Sequence, residues 1–399
     1  MVCKTTARRP RRLRHALGLL AVASGSVATS ARGDPLVLRA DALAETSSPT
    51  GLIVLQGEDR MRPWVDAEGL VWAGAKPSVT GDVLVLTLRL RDPKGHAEVR
   101  GGRFVLATGA IRPVQVDGAE VTLRAPWGSA VESFGGAPVV PRLGARPYDW
   151  LAGGRVSQKL GVTAIVGLSY IQRREGGEIS DHEMGADAAF APARWLDVAS
   201  FAAYDLTSPG LTNARVSAAS RFDAFRFEVF GSQLSPGRLL PATSLFSVLG
   251  DFPSQTVGGT IKWLAAPRLD LLASGAGQDV GGTLGSNGWI RATLRLDDRG
   301  AGNLGLELRR VDVSTAEWTG IRGVAALPLG RGFRFSTEVE VVVPDHPDGR
   351  GVAWPWGLLA VAYRRASWEA AVAMEASSTP EHLYEANALA RLSRSWGIP

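Results

Sequence analysis

Cysteine is nearly missing from this sequence. Cys3 is the single one, so no disulfide closes within the chain, and nothing beyond it offers a thiolate metal site or an acylated cysteine anchor. Histidine is scarce too, at positions 15, 96, 182, 346 and 382. A hydrolase needs a nucleophile, a base and an orienting group converging on one side, and no serine is in step with any of the last four. His182, His346 and His382 are expected in solvated external loops and His96 in a periplasmic turn. Asp345-His346-Pro347-Asp348 is too sparse for a metal site, and Gly281-Gly282-Thr283-Leu284-Gly285 lacks the Lys-Ser/Thr ending of a phosphate loop. The expectation is no enzyme, no metal and no cofactor. Long apolar runs are also absent. A membrane helix needs about 20 apolar residues, and no stretch reaches that length, which excludes a helical membrane protein.

What is present at the start is a basic cluster. Lys4, Arg8, Arg9, Arg11, Arg12 and Arg14 precede a short apolar stretch, residues 16–23, and Thr29-Ser30-Ala31 supplies a small-x-small ending. These are the three parts of a cleavable secretory signal, expected over residues 1–31. The paired arginines suggest a twin-arginine signal, but that route carries folded cargo, so the general secretory route is expected. Without these six residues the 44 Lys and Arg fall to 38 against 39 Asp and Glu. The basic balance belongs to the leader and implies no nucleic-acid partner.

Beyond the leader the chain is rich in glycine, with 47, and tryptophan, with 12, and alternates with period two. In residues 256–263, Val257, Gly259, Ile261 and Trp263 oppose Thr256, Gly258, Thr260 and Lys262. In 333–343, Phe333, Phe335, Val339, Val341 and Val343 oppose Arg334, Ser336, Glu338 and Glu340. Alternation alone fits any half-buried sheet. The connections discriminate: from residue 158 on, tight ones (around Leu160, Asp223 and Ala366, for instance) alternate with longer ones at 172–182, 235–254, 280–286 and 344–354. Short turns at one end and longer loops at the other mark an outer-membrane barrel, short ends facing the periplasm. Trp and Tyr cluster near the expected strand ends, as interfacial girdles do; Trp289 and Trp318 instead fall in the phase of the lumen. The reading is an all-β, closed antiparallel transmembrane barrel of about 20 strands, with 18 or 16 open, over residues 64–399. Residues 32–63 are expected as a periplasmic tail or a plug.

In this register the polar phase faces a water-filled lumen. It places Arg100, Arg124, Arg155, Lys159, Arg215, Arg221, Arg226, Lys262, Arg291, Arg295, Arg309, Arg322, Arg334 and Arg391 inside. Glu120, Asp187, Asp197, Glu228, Glu307, Glu338, Glu340, Glu369 and Glu375 share that face. Most are expected to pair across strands, and the modest basic excess points to weak anion preference.

Arg100-Gly101-Gly102-Arg103-Phe104, Val116-Asp117-Gly118-Ala119 and Val131-Glu132-Ser133-Phe134-Gly135-Gly136 resemble the porins of the alginate-export and related families, over residues 97–138. Phe104 stands where glutamine often follows Gly-Arg in that pattern, and Trp396 lies three residues inside the end. The resemblance implies an outer-membrane channel and fixes no substrate. The leading expectation is a porin for passive diffusion of small hydrophilic solutes, with outer-membrane lipid and the barrel-assembly machinery as partners and a homo-oligomer left open. The alternatives are a specific exporter or importer of an oligosaccharide or polymer, and a plugged structural or surface-display barrel. Residues 235–254, apolar through Leu239, Leu240, Leu245, Phe246, Val248, Leu249 and Phe252, are the expected constriction or docking loop.

Overall fold

The computed structural model describes residues 36–45, 50–62, 64–75, 79–139, 148–235, 253–298, 300–314, 316–347, 352–378 and 384–398. Every described regular element is a strand. In chain order they are β1 (Leu36–Glu45), β2 (Thr50–Arg62), β3 (Val65–Ala75), β4 (Val79–Arg91), β5 (Ala97–Leu106), β6 (Val114–Arg124), β7 (Ser129–Pro138) and β8 (Tyr148–Leu160). They continue as β9 (Ala164–Glu175), β10 (Glu178–Ala193), β11 (Leu196–Asp205), β12 (Gly210–Phe222), β13 (Phe225–Leu234), β14 (Ser254–Ala266) and β15 (Leu269–Val280). The last are β16 (Thr283–Arg295), β17 (Asn303–Val313), β18 (Ala316–Gly330), β19 (Phe333–Pro344), β20 (Trp354–Arg365), β21 (Trp368–Ser377) and β22 (Glu385–Ile398).

Each strand pairs antiparallel with its neighbours, and β1 pairs with β22, Asp41 opposite Ser393, so the 22-stranded sheet closes on itself. Closure leaves no sheet edge, the condition for β structure in lipid. The count corrects the expected 20. The two extra strands are β1 and β2, in the segment expected as a tail or plug. Asp41 faces inward and accepts from Arg391 at 3.2 Å, so the N-terminal strand is the closing stave of the wall.

The outer face is apolar because lipid is its solvent. On β17, Leu304, Leu306 and Leu308 are 41, 56 and 52 % exposed and point outward, while Glu307 between them is buried on the inner side. An apolar surface of this extent, running round the barrel, has no place on a soluble monomer. At one end most connections are short, as at 161–163, 194–195, 223–224, 267–268, 331–332 and 366–367, with 92–96 and 296–302 longer. Asp223, Arg331 and Ala366 take positive φ in these turns. The longer connections, 107–113, 139–147, 235–253, 345–353 and 378–384, share the other end. Two expected long loops are instead tight hairpins. Gly176-Gly177 and Gly281-Gly282 have φ of 60 and 81° and of 60 and 87°; two successive positive φ values make the turn that matches strand twist, so β9–β10 and β15–β16 extend to it. His182 accordingly lies on β10 rather than in a loop, facing outward with Tyr170 at 2.6 Å.

The wall departs from a plain ladder beside β5. β4 pairs with β5 only over residues 86–91. Above that, Arg103 donates to the Val83 carbonyl at 2.9 Å and Gln115 donates to that of Leu84. Side chains thus stand in for the missing rungs, where unpaired backbone would be costly in lipid.

Candidate pore and constriction

All of the predicted pore residues lie on the inner face, in register with one another. Arg100 stands opposite Glu120, with a guanidinium–carboxylate distance of 2.5 Å, and Arg124 is 3.7 Å from Glu98. Arg155 donates to Asp187 at 2.6 Å. Arg215 and Arg226 share Glu228 at 3.7 and 3.8 Å, and Arg221 meets Asp197 at 3.2 Å. Lys262 is opposite Arg226. Glu307 holds Arg291 through Nε at 2.7 Å and Arg309 at 2.6 Å. Arg295 approaches Asp270 at 3.6 Å, and Arg322 pairs with Glu338 at 2.6 Å. Glu340 lies opposite Arg322, and Arg334 opposite Pro328. Arg391 bridges Asp41 and Glu369 at 3.2 and 3.5 Å. Opposite charges in direct cross-strand contact stabilise both the sheet and each other's hydration.

Away from the Arg155 and Arg173 pairs, where the arginine is the more buried partner at 13 %, several pairs are lopsided in depth. Glu307 is 5 % exposed while its two arginines are 40 and 39 % exposed. Asp41 is 16 % exposed against 37 % for Arg391. Short carboxylates sit at the wall and long guanidinium stems carry the positive charge out into the lumen, so the water-facing surface is more basic than a residue count implies.

One sector contradicts the expectation of a uniformly polar lumen. Phe104, Leu106, Val116, Phe134, Leu151 and Ile171 occupy the inner phase of β5 to β9 and are at most 6 % exposed. They are dry because the β5–β6 connection, 107–113, folds into the barrel over them. Ile111 packs into the cluster. Thr108 donates to Glu132 on β7 at 2.5 Å. Arg112 reaches Asp181 at 3.0 Å and Glu183 at 3.3 Å on β10, and Thr212 donates to Glu183 from β12 at 3.3 Å. Arg173 also meets Asp181, at 3.2 Å. Glu183, only 1 % exposed, carries a buried charge that needs these donors. Gly109, at φ 55°, rests on the Arg155–Asp187 pair, where an added Cβ would lie 2.8 Å from Asp187 Oδ1.

The inward-folded connection among the described residues is therefore 107–113. Residues 235–254, expected as a constriction or a docking loop, fall outside the described residues over 236–252. Thr108, Arg112, Glu132, Arg173, Asp181, Glu183 and Thr212 were not anticipated. Beside the loop, a cavity of about 910 Å³ extends along the inner wall past Ser157, Asp187, Phe201, Arg215, Ser232 and Thr256. Among the described residues no group of three or more His, Cys, Asp or Glu is arranged to hold a metal ion.

No family model matches this sequence, and no curated protein does. The likeness of residues 97–138 to the alginate-export porins thus gains no support from sequence comparison. Solved structures do match. The siderophore receptor PirA from Pseudomonas aeruginosa superposes with a TM-score of 0.56 at 9 % identity, over 92 % of this chain and 81 % of that one. This chain has the fold of an outer-membrane β-barrel. The E. coli P pilus tip assembly intermediate PapC-PapD-PapK-PapG gives 0.51 at 10 % identity, over 93 % of this chain and 62 % of the matched chain. Pseudomonas aeruginosa OccK2 in complex with glucuronate gives 0.43 at 9 % identity, over 92 and 98 %. At such identities the likeness is one of fold.

Proposed function

We propose that the chain is a channel of a bacterial outer membrane for passive diffusion of small hydrophilic solutes, narrowed by the inward 107–113 connection and biased toward anions. The observation that carries this reading is the depth asymmetry of the lumen pairs, with Glu307 recessed behind Arg291 and Arg309. A wall built to be filled by other side chains has no need to hold arginine side chains about 40 % exposed in its interior, whereas a conducting path tuned by charge does. The short connections face the periplasm in this reading, together with both ends of the sheet. Residues 1–31 act as the export signal, and the barrel-assembly machinery inserts the chain.

The test is conductance of the purified protein in a planar bilayer. The expected result is an ohmic current whose reversal potential in a salt gradient lies modestly on the anion side, because pairing and screening cancel most of the excess charge. A protein that folds and inserts but passes no current would overturn the reading in favour of a plugged scaffold. The dry cluster of Phe104, Leu106 and Ile111 is the observation that keeps that second reading in view.

A further inference from the structure

Cross-strand partners on the inner wall follow a rule of opposite charge. Arg291 faces Glu307, Glu307 faces Arg322, and Arg322 faces Glu340. Glu132 faces Arg155, and Arg100 faces Glu120. Where Arg89 faces Arg100, each holds its own carboxylate, Glu98 at 3.3 Å and Glu120 at 2.5 Å. One row breaks the rule. Arg221 on β12 lies directly opposite Arg226 on β13, and Arg226 directly opposite Lys262 on β14. Like charges directly opposite repel, so three in one row need an anion among them.

The acids of the wall do not supply it. Arg221 is bonded to Asp197 at 3.2 Å, but Glu228 stands 3.8 Å from Arg226 and 3.7 Å from Arg215, beyond hydrogen-bond length. Among the described residues Lys262 has no carboxylate within salt-bridge range. Arg221 and Arg226 remain 59 and 50 % exposed. Arg221 and Arg226 flank the 223–224 turn, which puts the row at the periplasmic mouth.

Resting on the channel reading above, we propose that Arg221, Arg226 and Lys262 form a binding site for a phosphate-class dianion at that mouth. Charge argues for a dianion. Arg215, Arg221, Arg226 and Lys262 against Asp197 and Glu228 leave two positive charges uncompensated, and a phosphate monoester carries nearly two negative ones at neutral pH. Shape argues for phosphate. The row spans two strand spacings, about 10 Å, on the concave face of the wall, within reach of three long side chains. A carboxylate presents two coplanar oxygens and suits one guanidinium fork. Free phosphate and a phosphate monoester each keep at least three terminal oxygens, one for each cation of the row. Held at the mouth, such a site draws anions that have passed the 107–113 connection onward into the periplasm.

The experiment measures chloride current through the full-length barrel in a planar bilayer while anions are added at matched ionic strength on the short-turn side. The probes are inorganic phosphate, glycerol phosphate and acetate, at pH 8, well above the second phosphate pKa of about 6. Phosphate should halve the current at a concentration at least tenfold below that of acetate, which corresponds to roughly 1.4 kcal/mol. Arg226→Gln with Lys262→Gln should bring phosphate to the level of acetate. Glycerol phosphate acting like phosphate assigns the site to monoesters; a weaker effect assigns it to the free ion, and either supports the site. Equal action of phosphate and acetate, or a preference that survives the double substitution, overturns it. An absence of current would defeat the channel reading alone. In that case ³¹P line broadening of phosphate by the detergent-solubilised barrel, lost in the double variant, still decides for the site, and no broadening decides against it.

Discussion

Two sectors of one barrel wall treat their inner face in opposite ways. Where residues 107–113 cover β5 to β9, the lumen phase is apolar and dry. Phe104, Leu106 and Ile171 lie under an inward-folded connection, and the charges there, Arg155, Asp187 and Glu183, are locked in multiple bonds. From β12 to β18 the same phase is wet and basic, with Arg221, Arg226, Arg291 and Arg309 projecting past recessed carboxylates. The backbone is the same in both. What differs is whether the inner residues of neighbouring strands are apolar together, which creates a surface that a connection can bury, or charged together, which keeps water. A barrel can thus carry its narrowing element on one side and its conducting, charge-selective wall on the other.

The comparison breaks most readily at Glu183. Removing one partner of a buried ion pair costs about 3–5 kcal/mol, so Glu183→Ala should release Arg112 and Thr212, undock the 107–113 connection and raise single-channel conductance. Unchanged conductance in a folded variant would mean that the connection does not narrow the path. Next in size is the sorting of lipid from lumen on β14. Ile261→Arg should cost about 2–4 kcal/mol if near the midplane, read by urea unfolding in lipid, and Thr260→Arg on the inner face should be nearly neutral. Equal costs would contradict the assignment of faces. A smaller effect is electrical: Arg215→Glu with Arg221→Glu should move the reversal potential toward cations while current persists, and a selectivity blind to both changes would remove these residues from the path.

The smallest effect lies outside the membrane. Asp345, just past β19, accepts from Arg310 at 2.6 and 2.5 Å, and these bonds hold its carboxyl below the usual carboxylate range. A lowered pKa gives stability that is present above the ordinary value near 3.8 and is lost as pH falls through the lowered one. The tie of Asp345 to Arg310 should therefore hold down to mildly acidic pH and loosen only below it. Limited proteolysis across that range checks this, and loosening already near pH 6 would contradict it.

Much of this architecture was legible in the chain because lipid on one side and water on the other impose strict alternation. β14 and β17 declare themselves through Val257 and Ile261, and through Leu304, Leu306 and Leu308. β1 and β2 did not, since Leu36-Val37-Leu38 reads as a continuous apolar run and Glu58-Asp59-Arg60 as a solvated one. The partner of Asp41 on β1, Arg391, lies at the far end of the sequence. The two-glycine turns were read as parts of longer loops because neighbouring polar residues masked the extended hairpins. The inward connection was missed for a different reason. Residues 107–113 are short and carry no unusual hydrophobicity of their own, and the signal lay in their bed. Phe104, Leu106, Val116, Phe134, Leu151 and Ile171 each put an apolar side chain in the lumen phase of adjacent strands, a pattern visible only once the strands are aligned.

Single-cysteine labelling during current recording tests the division of the lumen most directly. With Cys3 replaced, Arg309→Cys and Phe134→Cys place a thiol in the wet and the dry sector respectively. A bulky, water-soluble, charged thiol reagent should reduce current through the Arg309→Cys barrel within seconds and leave the Phe134→Cys barrel unaffected. Rapid block at position 134, with none at 309, would show that solutes travel along the sector covered by residues 107–113, and would contradict the division of the lumen.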